Sequence, residues 1–173
     1  MPEINWDYSL EDTVYGTILV KAKERIVAAS LPSIATGRVQ IRKLAWPDAP
    51  DTTGDDALLP PCIIVSPRPE IVNWRDGTNE RDDVVYAFMV SMVLANGRDL
   101  TTKGIGLQLA WRQTIRRLFH NKSLNTWSLT LPTGCSFTQS YVESGDQFIE
   151  QPKRMQYDAQ YWLVRVKVRE PRT

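Results

Sequence analysis

The chain has 173 residues, 42% of them hydrophobic, which is enough for one domain with a substantial core and short for two. Lys and Arg number 21 against 20 Asp and Glu, so a net charge of +1 provides no global field to gather nucleic acid or an anionic membrane. The N-terminal Met1-Pro2-Glu3 lacks the basic and apolar blocks of a secretory leader, and the longest apolar run is too short to span a bilayer, so a soluble protein without membrane contact is expected.

Ser9 and Asp12 have capping-box spacing and open a predicted helix to about Ala29, whose stripe of Leu10, Val14, Ile18, Ala22 and Ile26, joined by Tyr15 and Leu19, should lie on a sheet. Gly37 to Trp46 alternates as a first strand, with Val39 and Ile41 on one face and Gln40 and Arg42 on the other. Residues 47–61 hold Asp48, Asp51, Asp55 and Asp56 among four prolines and are expected as an acidic loop insertion. Cys62-Ile63-Ile64-Val65 reads as a buried strand. Residues 67–83, with Arg68, Trp74, Arg75 and Arg81, are expected as a second loop insertion, leading into a long apolar strand from Val84 to Leu94.

Asn96-Gly97 is a turn, and Asp99 or Thr101 is placed to cap a second helix running to about Phe119, with Leu100, Leu107, Trp111, Ile115 and Leu118 inward. Gly104 and Gly106 weaken its start and suggest close approach of a neighbouring backbone. Ser128 to Leu131 and Ser136 to Glu143 are short strand candidates around Pro132-Thr133-Gly134. Met155 to Arg169 is the strongest strand of the second half, with Trp162, Val164, Val166 and Val168 on the core face and Leu163, Arg165, Lys167 and Arg169 on the other. The element order predicts a single α+β domain: a mixed, mostly antiparallel sheet of four to six strands with two helices packed on one face.

Chemical constellations are sparse. Glu80, Asp82 and Asp83, completed by Glu150 and Lys153, resemble a magnesium site in composition only, because ligands on a loop with Arg81 interleaved are not held rigidly. His120 is the sole histidine and is expected to cap a helix end, which leaves a serine nucleophile no separate base. No phosphate loop or cofactor motif occurs, and Cys62 and Cys135 are expected as reduced thiols, one of them inside a strand. No enzymatic activity and no bound cofactor or metal are therefore expected.

Two basic surfaces stand out: Arg112, Arg116, Arg117 and Lys122 around the second helix, and Arg165, Lys167 and Arg169 along a strand. Both are expected to be solvated or to face protein, with a nucleic-acid-binding accessory role as the alternative. Trp46, Trp74 and Trp127 fall in or beside loops, where aromatics serve as interface anchors. Acidic residues Asp51, Asp55 and Asp56 on one loop and Arg68, Arg75 and Arg81 on another predict a head-to-tail contact between copies, of the kind that closes into rings.

Pro60-Pro61-Cys62-Ile63-Ile64-Val65-Ser66-Pro67, Gly77-Thr78-Asn79, Asp82-Asp83-Val84-Val85-Tyr86 and Leu109-Ala110-Trp111-Arg112 together resemble the tail terminator and tail completion proteins of long-tailed bacteriophages. The resemblance implies an α+β structural subunit of the virion that assembles as a ring, usually a hexamer, at the head-tail junction. Its partners would be the tail tube protein and the head connector or neck protein, with DNA only passing through the lumen and assembly taking place in the host cytoplasm. A head-closure or neck connector protein is the alternative within the same setting.

Overall fold

The computed structural model describes residues 9–43, 47–48, 57–78, 80–95, 102–144 and 157–172. A 3-10 turn at Leu10–Asp12 is held by the predicted box: Glu11 N–H donates to Ser9 Oγ and Ser9 N–H to the Asp12 carboxylate. Thr13 then caps helix α1, Val14–Ala28, by accepting from Gly16 N–H at 2.9 Å. Gly16 is required there, because a Cβ would lie 1.6 Å from the Leu10 carbonyl oxygen. Ile18, Leu19, Ala22 and Ile26 are buried, as their spacing demands.

Strand β1 is only Val39–Ile41, preceded by a 3-10 turn at Thr36–Arg38, and so is shorter than the predicted Gly37 to Trp46. It pairs in parallel with the start of β2, Cys62–Thr78, which pairs antiparallel with β3, Arg81–Ala95. Helix α2 spans Thr102–Phe119 and a one-turn helix α3 spans Leu124–Trp127. Strands β4, Ser136–Ser144, and β5, Tyr157–Pro171, complete a five-stranded sheet in the order β1-β2-β3-β5-β4, with every pairing but the first antiparallel. The α+β class, the mixed and mostly antiparallel sheet and the two principal helices all agree with the sequence.

The main core lies between the helices and one sheet face. Val84, Tyr86, Phe88, Val90 and Met92 of β3 and Val164, Val166 and Val168 of β5 meet Ile18 and Ile26 of α1 and Trp111, Ile115 and Phe119 of α2. Phe88, Phe119, Trp127 and Phe137 form an aromatic chain with neighbouring centroids 5.3 to 5.7 Å apart along Phe88–Phe119–Trp127–Phe137. A smaller cluster of Leu58, Cys62, Ile64, Val93 and Ala159 covers one end of the opposite sheet face. Asp48 fastens that cover: its backbone N–H donates to Leu58 O, its carboxylate accepts from Leu58 N–H at 2.7 Å, and Arg42 pairs with it at 2.7 Å.

Residues 67–83 are not the predicted loop. Strands β2 and β3 continue as a hairpin to the Thr78–Arg81 pair; β3 stays flanked by β5 as far as the Arg81–Pro171 pair, whereas β2 from Arg68 to Val72 is an exposed sheet edge. A strand with both faces in water needs no apolar alternation, and Pro67 and Pro69 are tolerated because this stretch of β2 lies on a sheet edge. Ser128 to Leu131 likewise forms no strand: Ser128 adopts a left-handed φ of 49°, and the irregular chain behind it drops Leu129 into the core. Gly106 faces open space, so the predicted close approach does not occur there.

Candidate interaction surface

The hairpin arm begins at a register shift between Arg68 and Ile71. Tyr15 of α1 reaches into this bulge: its hydroxyl accepts from Arg68 N–H at 2.7 Å and donates to the Ala87 carbonyl, standing in for a ladder bond between β2 and β3. Its ring rests against Tyr86, with centroids 5.0 Å apart, and burial pushes its hydroxyl pKa up, keeping it a neutral donor. One helix side chain thus bridges β2 and β3 where the edge of the sheet becomes uncovered. Past the bulge, consecutive Ile71 and Val72 stay 50% and 51% exposed. Neighbouring strand residues point to opposite faces, so the arm is apolar on both sides at this level.

Of the residues expected at an interface, Arg68 and Arg81 are exposed on the arm, and Arg68 directs Nη2 to Met89 Sδ at 3.1 Å. Trp74 and Arg75 belong to β2, their side chains lying outside the described residues, as do Trp46, Asp51, Asp55 and Asp56 altogether. Trp127 is corrected from interface anchor to core plug: it is fully buried, its indole N–H donates to Ser140 Oγ at 2.9 Å, and Ser140 Oγ donates to Phe119 O. Arg25 lies over the same ring at 5.6 Å and donates to the carbonyls of Leu118 and Thr126, tying α1 to the ends of α2 and α3.

The basic strand face is largely neutralised from within. Lys167 Nζ and Arg169 Nε contact the two oxygens of Asp83 at 2.9 and 2.8 Å, and Arg165 contacts Glu143 at 2.9 Å. Register explains this, since Asp83 is directly opposite Arg169 and beside the Val85–Lys167 pair. Asp83 is buried, and donation by Arg169, then Lys167, holds its carboxyl down to about 2. Asp82, one residue earlier, points to the other face and pairs with Arg172 at 2.7 Å. Consecutive strand residues point to opposite faces and do not converge on one ion, so Asp82 and Asp83 do not form the magnesium-like constellation weighed above. Among the described residues no group of three acidic, His or Cys side chains is arranged for a metal. His120 is not a carbonyl cap: its Nδ1 accepts from Val142 N–H at 3.3 Å, on the outer side of β4, where Lys122 also bridges to Ser140.

A second surface lies on α2. Ile105 and Leu109, one turn apart, are 56% and 57% exposed, and the same helix line continues through Arg112 to the exposed Arg116. Arg112 is buried with its guanidinium 4.0 Å above the Trp162 ring, and its Nη1 has no hydrogen-bond acceptor. Trp162 returns a bond from Nε1 to Arg112 O at 3.1 Å, and Gln160 donates to Gln108 at 2.7 Å, which seats the first half of α2 on the Tyr157 end of β5. Sequence reasoning missed this strip. The apolar pair Ile105 and Leu109, around the helix from the buried Trp111 and Ile115, was the available signal.

No family model matches the chain, and no curated protein matches it significantly. Among the described residues, no helix is long and apolar enough to cross a membrane.

Proposed function

We propose that this protein is a ring-forming structural subunit of a phage-like tail, a tail terminator that caps the tail tube and presents a docking surface to the head connector. The observation that carries this reading is the edge half of β2, which past a braced bulge is uncovered and holds Ile71 and Val72 in the open. Two half-exposed aliphatic side chains on an uncovered sheet edge are what an edge placed against a neighbour requires. The two sheet edges are treated differently, which also favours directed association. The β4 edge is blunted by His120 and Lys122, whereas β1 covers β2 only from Ile63 to Val65. The basic strand face favours the structural reading over a nucleic-acid-binding one, because Arg165, Lys167 and Arg169 already have carboxylate partners.

The test is coexpression with a phage tail-tube protein. A capping subunit yields tubes of uniform length with extra density at one end in electron micrographs, and the variant Ile71→Asp with Val72→Asp leaves tubes uncapped. Tubes that grow without limit in the presence of the intact protein contradict the proposal.

A further inference from the structure

Two contacts cover the middle of the outer β4 edge, and one of them depends on a proton. Helix α2 ends with His120 N–H donating to Arg116 O at 2.8 Å, and Asn121 then takes a left-handed φ of 51°, after which the chain runs back along β4. Ser140 N–H donates to Lys122 O at 3.0 Å, and Lys122 N–H returns a bond to Ser140 O at 3.3 Å. Val142 N–H donates to His120 Nδ1 at 3.3 Å. Residues two apart on a strand turn their N–H groups to the same edge, so the two contacts form one clasp.

The half at Ser140 is backbone to backbone and is fixed from the core side, where the buried Ser140 Oγ accepts from the Trp127 indole and donates to Phe119 O. The half at Val142 rests on an imidazole. A ring nitrogen accepts only while it carries no proton, so this bond requires the tautomer with hydrogen on Nε2, and imidazolium has no acceptor left. The ionisable groups on the elements that meet here are Arg116 and Arg117 of α2, Lys122 of the turn, Arg25 of α1, which donates to Leu118 O, and Tyr141 and Glu143 of β4. Glu143 is already engaged by Arg165. A cation formed at His120 therefore enters a mostly basic setting, and repulsion adds to the loss of the bond. The α2 C-terminus favours that cation, but it does so whether or not Val142 is bonded and does not oppose release.

We propose that His120 is a proton-sensitive latch on the β4 edge. Unprotonated, it covers Val142 and completes the clasp begun by Lys122; protonated, it releases Val142 while the bridge to Ser140 holds. Histidine is the side chain that changes charge between about pH 5 and 8, so the latch works without denaturing acid. An uncovered N–H on a sheet edge is what an added strand pairs with, and acidification thus turns a closed edge into a receptive one.

The test is amide hydrogen exchange of the full chain by NMR from about pH 8 to about pH 5, corrected for the intrinsic pH dependence of exchange, with the imidazole nitrogen shifts followed alongside. As the ring titrates, protection at Val142 is expected to fall about threefold to tenfold, the worth of one hydrogen bond, while Ser140 stays protected. His120→Asn, whose side-chain oxygen accepts without titrating, is expected to keep Val142 protected throughout, and His120→Phe to leave it unprotected throughout. Position 120 is exposed, so neither change threatens the fold. Constant protection at Val142 in the parent, or a fall shared equally by His120→Asn, overturns the latch. So does a parent in which Val142 and Ser140 lose protection together.

Discussion

Asp83 offers the sharpest test of how the sheet is held together. Its carboxylate is buried and accepts from Lys167 and Arg169, so Asp83→Asn removes the charge that both cations face while keeping the shape. The depression of its pKa from 3.8 to about 2 corresponds to about 2 kcal/mol of preferential stabilisation of the charged form, reduced somewhat by screening because both cations retain solvent contact. A carboxyl whose pKa is lowered by folding stabilises the native state above its unfolded pKa, and that contribution is lost as pH falls toward the folded value. Urea denaturation, which leaves charges unscreened, should show Asp83→Asn less stable than the parent by about 2 kcal/mol at pH 7. The difference should shrink to about half near pH 3 and vanish only as pH falls through and below the folded value. A gap below about 0.5 kcal/mol at pH 7, or one that persists unchanged into acid, refutes the assignment.

Further predictions concern the arm and the helices. Tyr15→Phe deletes the hydroxyl that bridges Arg68 and Ala87, so hydrogen exchange at the Arg68 amide and along the arm should accelerate, with a stability loss of about 1 to 2 kcal/mol; unchanged protection speaks against the brace. Gly16→Ala forces a methyl into the Leu10 carbonyl and should cost about 1 to 3 kcal/mol, while Gly106→Ala on the open side of α2 should stabilise by about 0.5 to 1 kcal/mol; equal effects contradict the packing. Trp127→Ala should cost about 3 to 5 kcal/mol in thermal or urea unfolding, and a neutral result would return Trp127 to the surface.

The sequence disclosed what burial dictates. The stripe of Ile18, Ala22 and Ile26, the run from Val84 to Leu94 and the alternation of Val164, Val166 and Val168 each carry a period that only one kind of element satisfies, and each forms as read. The arm escaped because a strand exposed on both faces leaves no hydrophobic period, and its prolines imitate a loop. Trp127 was misplaced because its burial depends on Phe88 and Phe137, partners 39 residues before and 10 after it in sequence, which the fold alone brings together. The cations at Arg165, Lys167 and Arg169 looked unpaired for a related reason: their carboxylates come from neighbouring strands in a register that no local pattern announces. Asp48 shows the same effect within an acidic stretch, where one carboxylate fastens the segment over the second small core.

The most direct measurement is the native mass of the purified chain by light scattering across a wide dilution series, with end-on views in negative stain. A subunit built to join its own copies through an uncovered sheet edge should hold a mass several times its 19.8 kDa and show annular particles that dissociate when Ile71 and Val72 are both replaced by aspartate. A constant 19.8 kDa species at every concentration, unaffected by that replacement, contradicts the account.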